Sequence, residues 1–473
     1  MSLARKVAQN TIIQFAGKLI GTVLALVTVS LMMRYLGKEG FGEYSTIIGF
    51  LGTISIIADL GLYLVVTREI SKEGADEQKI LSNALSIRLI AAVIVLSAAP
   101  FLALLFPYSM TVIIGIAIAT LSFLFTSLNQ MFVGVFQKYF RMDRVAIGEV
   151  AGRLTWLAGV YVVIKLDWGL LTMIAAIALS NFLNFIIVAI FTNKYIKVRL
   201  GFDWKYWKKI LKIAAPLAFS VIFTLVHFKV DTVILSVIKP PEDVGIYGAA
   251  YKVLEGLITF AAIFAGILLP VLSRYAFTNK EKFANIYRRG FDVLAVFLVP
   301  LIIGTLFFAE PIMNLFGGGE FNTSASVLKI LIFAVGAIFL AHLFGNTVVA
   351  INQQKKMMWI YFAAAVVSII VNIILIPRYS YYGAAITTVI TESIVCFATA
   401  VTVYLTAKIW PEFKTFFKAL LSSIAMIGVI VILPDWHYFI NIAIAGISYF
   451  AVLYLLGGFS KKAVMEIIKF RSD

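Results

Sequence analysis

"YLGKEGFGEYS" at residues 35–45 is answered 203 positions later by "IKPPEDVGIYG" at 238–248. In register the two share Glu39 with Glu242, Gly42 with Gly245 and Tyr44 with Tyr247. Each is a turn-forming, charged interruption between two long apolar runs. A weaker echo joins "IKLDWG" (164–169) to "IPRYSYYG" (376–383). Turn chemistry shared by chance is the competing reading, because few residues match. If the echoes mark a true repeat, its length in membrane spans fixes how the halves are related.

Working outward from these stretches, the chain of 473 residues is 62% apolar and only 14% charged. A soluble chain carries about 25% charged residues. Apolar runs of about twenty residues recur throughout, each long enough to cross a bilayer as a helix. The composition therefore predicts an all-α polytopic membrane protein. Fourteen spans are expected, near 10–33, 41–66, 80–106, 111–136, 145–165, 169–192, 213–238, 245–273, 290–309, 325–351, 357–377, 382–407, 418–433 and 438–458. The first lacks a small-residue cleavage site and exceeds the short apolar core of a secretion signal, so it reads as a span. Both echoes lie six spans apart. Six is even, so the halves would insert with the same orientation about an axis along the membrane normal.

Lysine and arginine accumulate in cytoplasmic loops. Of the 40 in this chain, 29 fall on the side holding both termini, five on the other and six within spans. Both termini are thus expected in the cytoplasm, with the protein in the cell (cytoplasmic) membrane. The net charge of +16 is spread along that inner face. This excludes a nucleic-acid reading and points to anionic inner-leaflet lipid as a partner. The connection "NKYIKVRLGFDWKYWKKILK" (193–212) sets Trp204, Tyr206 and Trp207 among lysines, the pattern of a helix lying in the interface. The expected organisation is a six-helix lobe at 1–192, this amphipathic linker at 193–212, a second six-helix lobe at 213–407 and two further helices with a tail at 408–473.

No catalytic motif is present. The glycine-rich "LFGGGEF" (315–321) lacks the lysine of a phosphate loop. A single cysteine, Cys396, and three scattered histidines (His227, His342, His437) leave no disulfide, metal site or cofactor site to predict. The outer loops are short, which argues against an enzyme acting there.

Several stretches resemble the polysaccharide transporter family, the flippases of lipid-linked oligosaccharides. They are "MMRYLGKEGFGEYS" (32–45) with "ADLGLYLVVTREIS" (58–71), and "ILKIAAPLAFSVIFTLVHFKVDTVIL" (210–235) with "VGIYGAAYKVLEGL" (244–257) and "LLPVLSRY" (268–275). "NTVVAINQQKK" (346–356) and "NIILIPRYSYYGAAITTVITE" (372–392) extend the likeness over nearly the whole chain. The resemblance implies two pseudo-twofold-related six-helix lobes around a central cavity, with two C-terminal helices appended. It implies alternating access, with a polyprenyl-(pyro)phosphate oligosaccharide as cargo, H+ or Na+ as a coupling ion and glycan-assembly enzymes as neighbours. A lipid II flippase shares this plan and remains an alternative. A cation-coupled multidrug antiporter of the same superfamily fits less well, since it has twelve spans and an acidic cavity.

A charge near the bilayer centre costs roughly 2.5–3.5 kcal/mol on insertion scales, so each one needs a partner or a purpose. Lys18, Arg88, Lys229 and Lys252 are the candidate substrate-binding cations. Lys18 lies about 14 Å into span one, and a pseudo-twofold would set Lys229 roughly opposite it. Asp59, Asp231, Glu255 and Glu392 are candidate coupling groups or charge partners. Arg68 and Arg274, ending spans two and eight, are candidates for a cytoplasmic gate, with lipid-phosphate anchoring the competing reading. Glu149 and Arg153, at i and i+4, read as a structural pair. Asn83, Asn129, Gln130, Asn181, Asn184, Asn346 and Asn372 suit either sugar hydroxyls or helix packing.

Overall fold

The structure, a computed structural model, describes residues 3–59, 61–433 and 438–458, with side chains described outside 3–12, 15, 64 and 216–227. Among the described residues it is helical without strands. The helices are α1 (Leu3–Asp59), α2 (Leu62–Ile70), α3 (Glu77–Ala103), α4 (Met110–Lys138), α5 (Met142–Leu166), α6 (Gly169–Thr192) and α7 (Trp204–Ile238). After these come α8 (Pro241–Tyr275), α9 (Lys280–Gly317), α10 (Asn322–Ala350), α11 (Gln354–Ala407), α12 (Lys414–Ile432) and α13 (Tyr438–Leu455). Eleven of them are long and apolar enough to cross a membrane. Two are broken by one non-helical residue, α1 at Gly37 (φ 65°) and α11 at Ser380 (φ 49°), so each holds two spans. With the 35-residue α7 the expected fourteen are accounted for. This is a multi-pass membrane protein.

Polar residues fix where helices begin. Asp76, Ser109, Asp203 and Asn279 each accept a hydrogen bond from the backbone N–H three residues on, capping α3, α4, α7 and α9. The second span is divided: α1 ends at Asp59, Gly61 is left-handed (φ 62°) and α2 resumes at Leu62.

By packing, the chain forms two units, residues 1–248 with 372–381, and residues 249–371 with 382–473. The first unit is joined through small residues, as membrane helices are. A Cβ added to Gly17 would lie 2.7 Å from the Cβ of Ala146, and one on Gly159 2.9 Å from that of Ala176. Ser180 donates to the Gly152 carbonyl (2.7 Å), and Asn181 to Ser122 (2.6 Å), so these polar groups serve packing. In the second unit α12 and α13 lie on α9, where Ala419, Met426, Ala445, Tyr449 and Leu453 bury Val296 and Val299. Pro300 has no N–H, leaving the Val296 carbonyl without its helical partner. The Tyr449 hydroxyl donates to that oxygen at 2.7 Å, which fixes the last helix against the proline.

The connection 193–212 differs from expectation. Residues 204–212 are not a separate interfacial helix but the first turns of α7, because Asp203 caps them and no breaker separates them from span seven. The irregular part docks on α3. Gly201 N–H donates to the Ser82 carbonyl (3.2 Å) and Ser86 (2.9 Å), while Asn83 Oδ1 accepts from Asp203 N–H (2.8 Å) and Trp207 Nε1–H (2.9 Å). Lys79 pairs with Asp203 at 2.7 Å. That ion pair, then the Tyr206 N–H, holds the Asp203 carboxyl below its ordinary value. A depressed carboxyl stabilises docking above its ordinary pKa near 3.9 and loses that contribution as pH falls through the lower folded value. Protection factors for hydrogen exchange at 197–203, which remove the intrinsic dependence on pH, should therefore stay high at pH 5 and fall toward pH 3. In Asp203→Asn the fall between those pH values should vanish.

Candidate functional site

The echoed loops lie in the first unit and touch each other. A Cβ built on Gly42 would fall 1.7 Å from the Pro241 carbonyl oxygen, and one on Gly245 would fall 1.9 Å from the Lys38 carbonyl oxygen. Pro241 stands at the repeat position of Lys38, and Gly245 at that of Gly42, so the contact is reciprocal. One turn on, Gly248 packs on its own counterpart: a Cβ there would meet Ser45 Oγ at 2.5 Å. Residues that touch their own counterparts lie on the axis relating the repeats. Chance similarity of turns does not produce such contacts.

Around this backbone contact the polar groups are arranged unequally. Lys38 and Glu242 pair at 3.0 Å, both about half exposed, a pair worth about 0–1 kcal/mol. The Ser45 hydroxyl is buried without a hydrogen-bond partner among the described residues, a cost of about 1–3 kcal/mol. The second echo braces the first. Tyr35 donates to Asp167 (2.5 Å) and receives from Gly169 N–H (3.1 Å). In the other repeat Ser380 donates to Asp243, and Lys239 donates to the Pro377 carbonyl at 3.0 Å. Tyr108 and Ser236 add a hydroxyl pair at 2.9 Å. Asp231, 3% exposed, accepts from the Tyr247 hydroxyl and from Thr232 N–H (2.6 Å).

The other candidate residues are placed as follows. Arg88, 2% exposed, donates to Asp59 (2.7 Å), the Ala58 carbonyl (3.0 Å) and Gln130 (3.0 Å). It caps the end of α1 where the second span breaks. Lys252 pairs with Glu255 at 2.7 Å along α8. Lys18 lies exposed on α1 beside the packed Gly17, and Lys229 is half-buried on α7. The register of the repeat corrects their expected opposition. An offset of 203 sets Lys18 against Val221, eight residues or about 12 Å from Lys229. The side chain of His227 lies outside the described residues.

Arg68 is exposed beside Glu69 (3.0 Å), and the Arg274 guanidinium stacks 5.4 Å from the Tyr275 ring. Glu392 is buried in α11 at 2% exposure. Glu149 and Arg153 do not pair with each other among the described residues. The Glu149 carboxylate fills the space left beside Gly21 of α1, and the Arg153 guanidinium lies over Trp156, 5.6 Å from the ring centre. Sequence reasoning found the echoed glycines but not their mutual contact; the signal was the reciprocity of the offset.

The model of the family described as polysaccharide biosynthesis protein matches residues 7–276, and the MatE model matches 216–374. A relative named as a probable low-salt glycan biosynthesis flippase, from Haloferax volcanii, is 23% identical over 82% of this chain and 81% of its own length. A putative O-antigen transporter of Shigella flexneri is 22% identical over 80% of this chain and 93% of its own. Among solved structures, the lipid II flippase MurJ in an inward closed conformation superposes with a TM-score of 0.79 at 18% identity, covering 94% of this chain and 98% of that one. An inward-facing multidrug resistance MATE transporter gives 0.66 at 15% identity, over 84% and 98%. These two likenesses concern the fold. With more than half its length matched by one family model, the chain belongs to the polysaccharide biosynthesis protein family.

Proposed function

We propose that this protein is a flippase, a transporter rather than an enzyme, that carries a polyprenyl-(pyro)phosphate-linked oligosaccharide from the cytoplasmic to the outer leaflet by alternating access. The reciprocal contact of the two repeats carries the reading. Two like halves that meet about a common axis can part there and meet elsewhere, which is what alternating access requires. The names of the relatives supply the cargo class. The lysine and arginine bias supports a cytoplasmic-membrane location with both termini inside, so the contact at Gly42 and Gly245 is the outer closure. The expected division into lobes 1–192 and 213–407, with 408–473 appended, belongs to this reading.

An anionic head group crossing the membrane must exchange water for charge-assisted hydrogen bonds. Lys18 and Lys229, both in the first unit, are the head-group ligands of this reading, spaced along the path; Arg88 and Lys252 pair with Asp59 and Glu255. An inside-negative potential favours outward movement of an anion by roughly 2.3 kcal/mol per charge per 100 mV. Glu392 and Asp231 are the carboxyls through which H+ or Na+ coupling would act, and Arg68 and Arg274 the groups at the inner mouth.

Translocation of a fluorescent polyprenyl-pyrophosphate oligosaccharide in proteoliposomes tests this. Lys18→Ala and Lys229→Ala should each slow it more than tenfold, about 1.4 kcal/mol, with Lys229→Arg partly restoring the rate. Normal transport by both alanine variants would remove these lysines from the path. A wild type that moves only lipid II would favour the second reading, which the likeness to MurJ supports at the level of fold.

A further inference from the structure

We infer that Gly42 and Gly245 form a paired steric stop: the outer end closes only because neither residue has a side chain. The inference rests on the alternating-access reading, since it takes this contact to open and close in the transport cycle. A Cβ at either glycine would overlap a backbone carbonyl, which cannot swing aside as a flexible side chain would. Two glycines of the same two helices, Gly52 and Gly266, are under no such constraint, since a Cβ there would meet nothing within 4 Å. The closeness is that of Cα–H···O contacts, which are individually weak.

The ion pair across the contact is one-sided. Lys38 and Glu242 are exposed, and the pseudo-symmetric position opposite Glu39 is Pro241, so the repeat supplies the ion pair once rather than twice. The buried Ser45 hydroxyl opposes closure, because it is dehydrated against Gly248 without a hydrogen bond among the described residues. Closure is thus demanding in shape.

The test uses the full chain in membranes with Cys396→Ala, reporter substitutions Lys38→Cys and Glu242→Cys, and a short bifunctional thiol cross-linker. No cargo is needed, so the outcome is independent of whether the flippase reading holds. The parent should cross-link. Gly42→Ala or Gly245→Ala should lower the rate at least tenfold, and the double variant should differ from either single by less than twofold, since one methyl already parts the helices. Gly52→Ala should match the parent, and Ser45→Ala should cross-link faster. Parent-like cross-linking in Gly42→Ala and Gly245→Ala overturns the proposal. So does loss of the folded peak in size exclusion for both, which would make the glycines a folding requirement. A slower Ser45→Ala overturns it as well, because closure would then need that hydroxyl.

Discussion

Replacing Arg88 by alanine is expected to destabilise the chain by about 3–5 kcal/mol, the cost of breaking a buried ion pair from one side. Three acceptors lose their donor at once: the Asp59 carboxylate, the Ala58 carbonyl and Gln130 Oε1. The Ala58 carbonyl matters as much as the charge. The helix ends at Asp59 and Gly61 is left-handed, so the usual donor four residues on is not presented to it. Removing both charges should cost far less, because two ions that leave the interior together take their desolvation penalty with them. Arg88→Met with Asp59→Leu is therefore expected to recover most of the loss, leaving mainly the uncapped carbonyl. Heating detergent-solubilised variants and following the folded peak by size exclusion measures this. Equal melting of the single and double variants would show that the pair does not hold the break in span two.

The spans were legible because hydrocarbon imposes one condition on every stretch, and the sequence meets it by composition alone. Gly37 and Ser380 break helices within the very stretches that echo their counterparts, so the loops were legible too. Pairs at i and i+3 such as Lys252 with Glu255 follow from helix geometry, but the same rule failed for Glu149 and Arg153. Spacing permits a pair; it does not weigh the gap beside Gly21 or the face of Trp156 that each group found instead. Contacts across helices were harder. Asp59 was a recognisable candidate for Arg88, yet the Ala58 carbonyl acquires its need for a donor only from the break at Gly61. Asn83 carries no mark in the sequence that separates a sugar ligand from a clamp on a loop more than a hundred residues away. The reciprocal glycines lie between these cases: their identity was visible, while their contact depends on three-dimensional closure.

The clamp at Asn83 gives the second large effect. Asn83 is buried, its Oδ1 accepts from both Asp203 N–H and Trp207 Nε1–H, and its amide donates to the Lys79 carbonyl at 2.8 Å. Asn83→Leu orphans two donors at the start of α7 without supplying an acceptor. At about 1–3 kcal/mol for each buried group left unmade, docking of the linker should weaken by about 2–4 kcal/mol once water reaches part of the site. The apolar anchors of the linker, Ile196 and Ile210, stay in the core with Phe132 and Phe136, so the loss is confined to the hydrogen bonds. It should appear as faster tryptic cleavage at Lys197 and Arg199, with the melting of the whole chain changed much less. Asn83→Asp keeps the acceptor oxygen and forfeits only the bond to the Lys79 carbonyl, so its cleavage rate should fall between wild type and Asn83→Leu. Should Asn83→Leu be cut no faster than wild type, the linker would be held by the Lys79–Asp203 pair and the Gly201 hydrogen bonds alone. Asn83 would then be open again to a role in binding cargo.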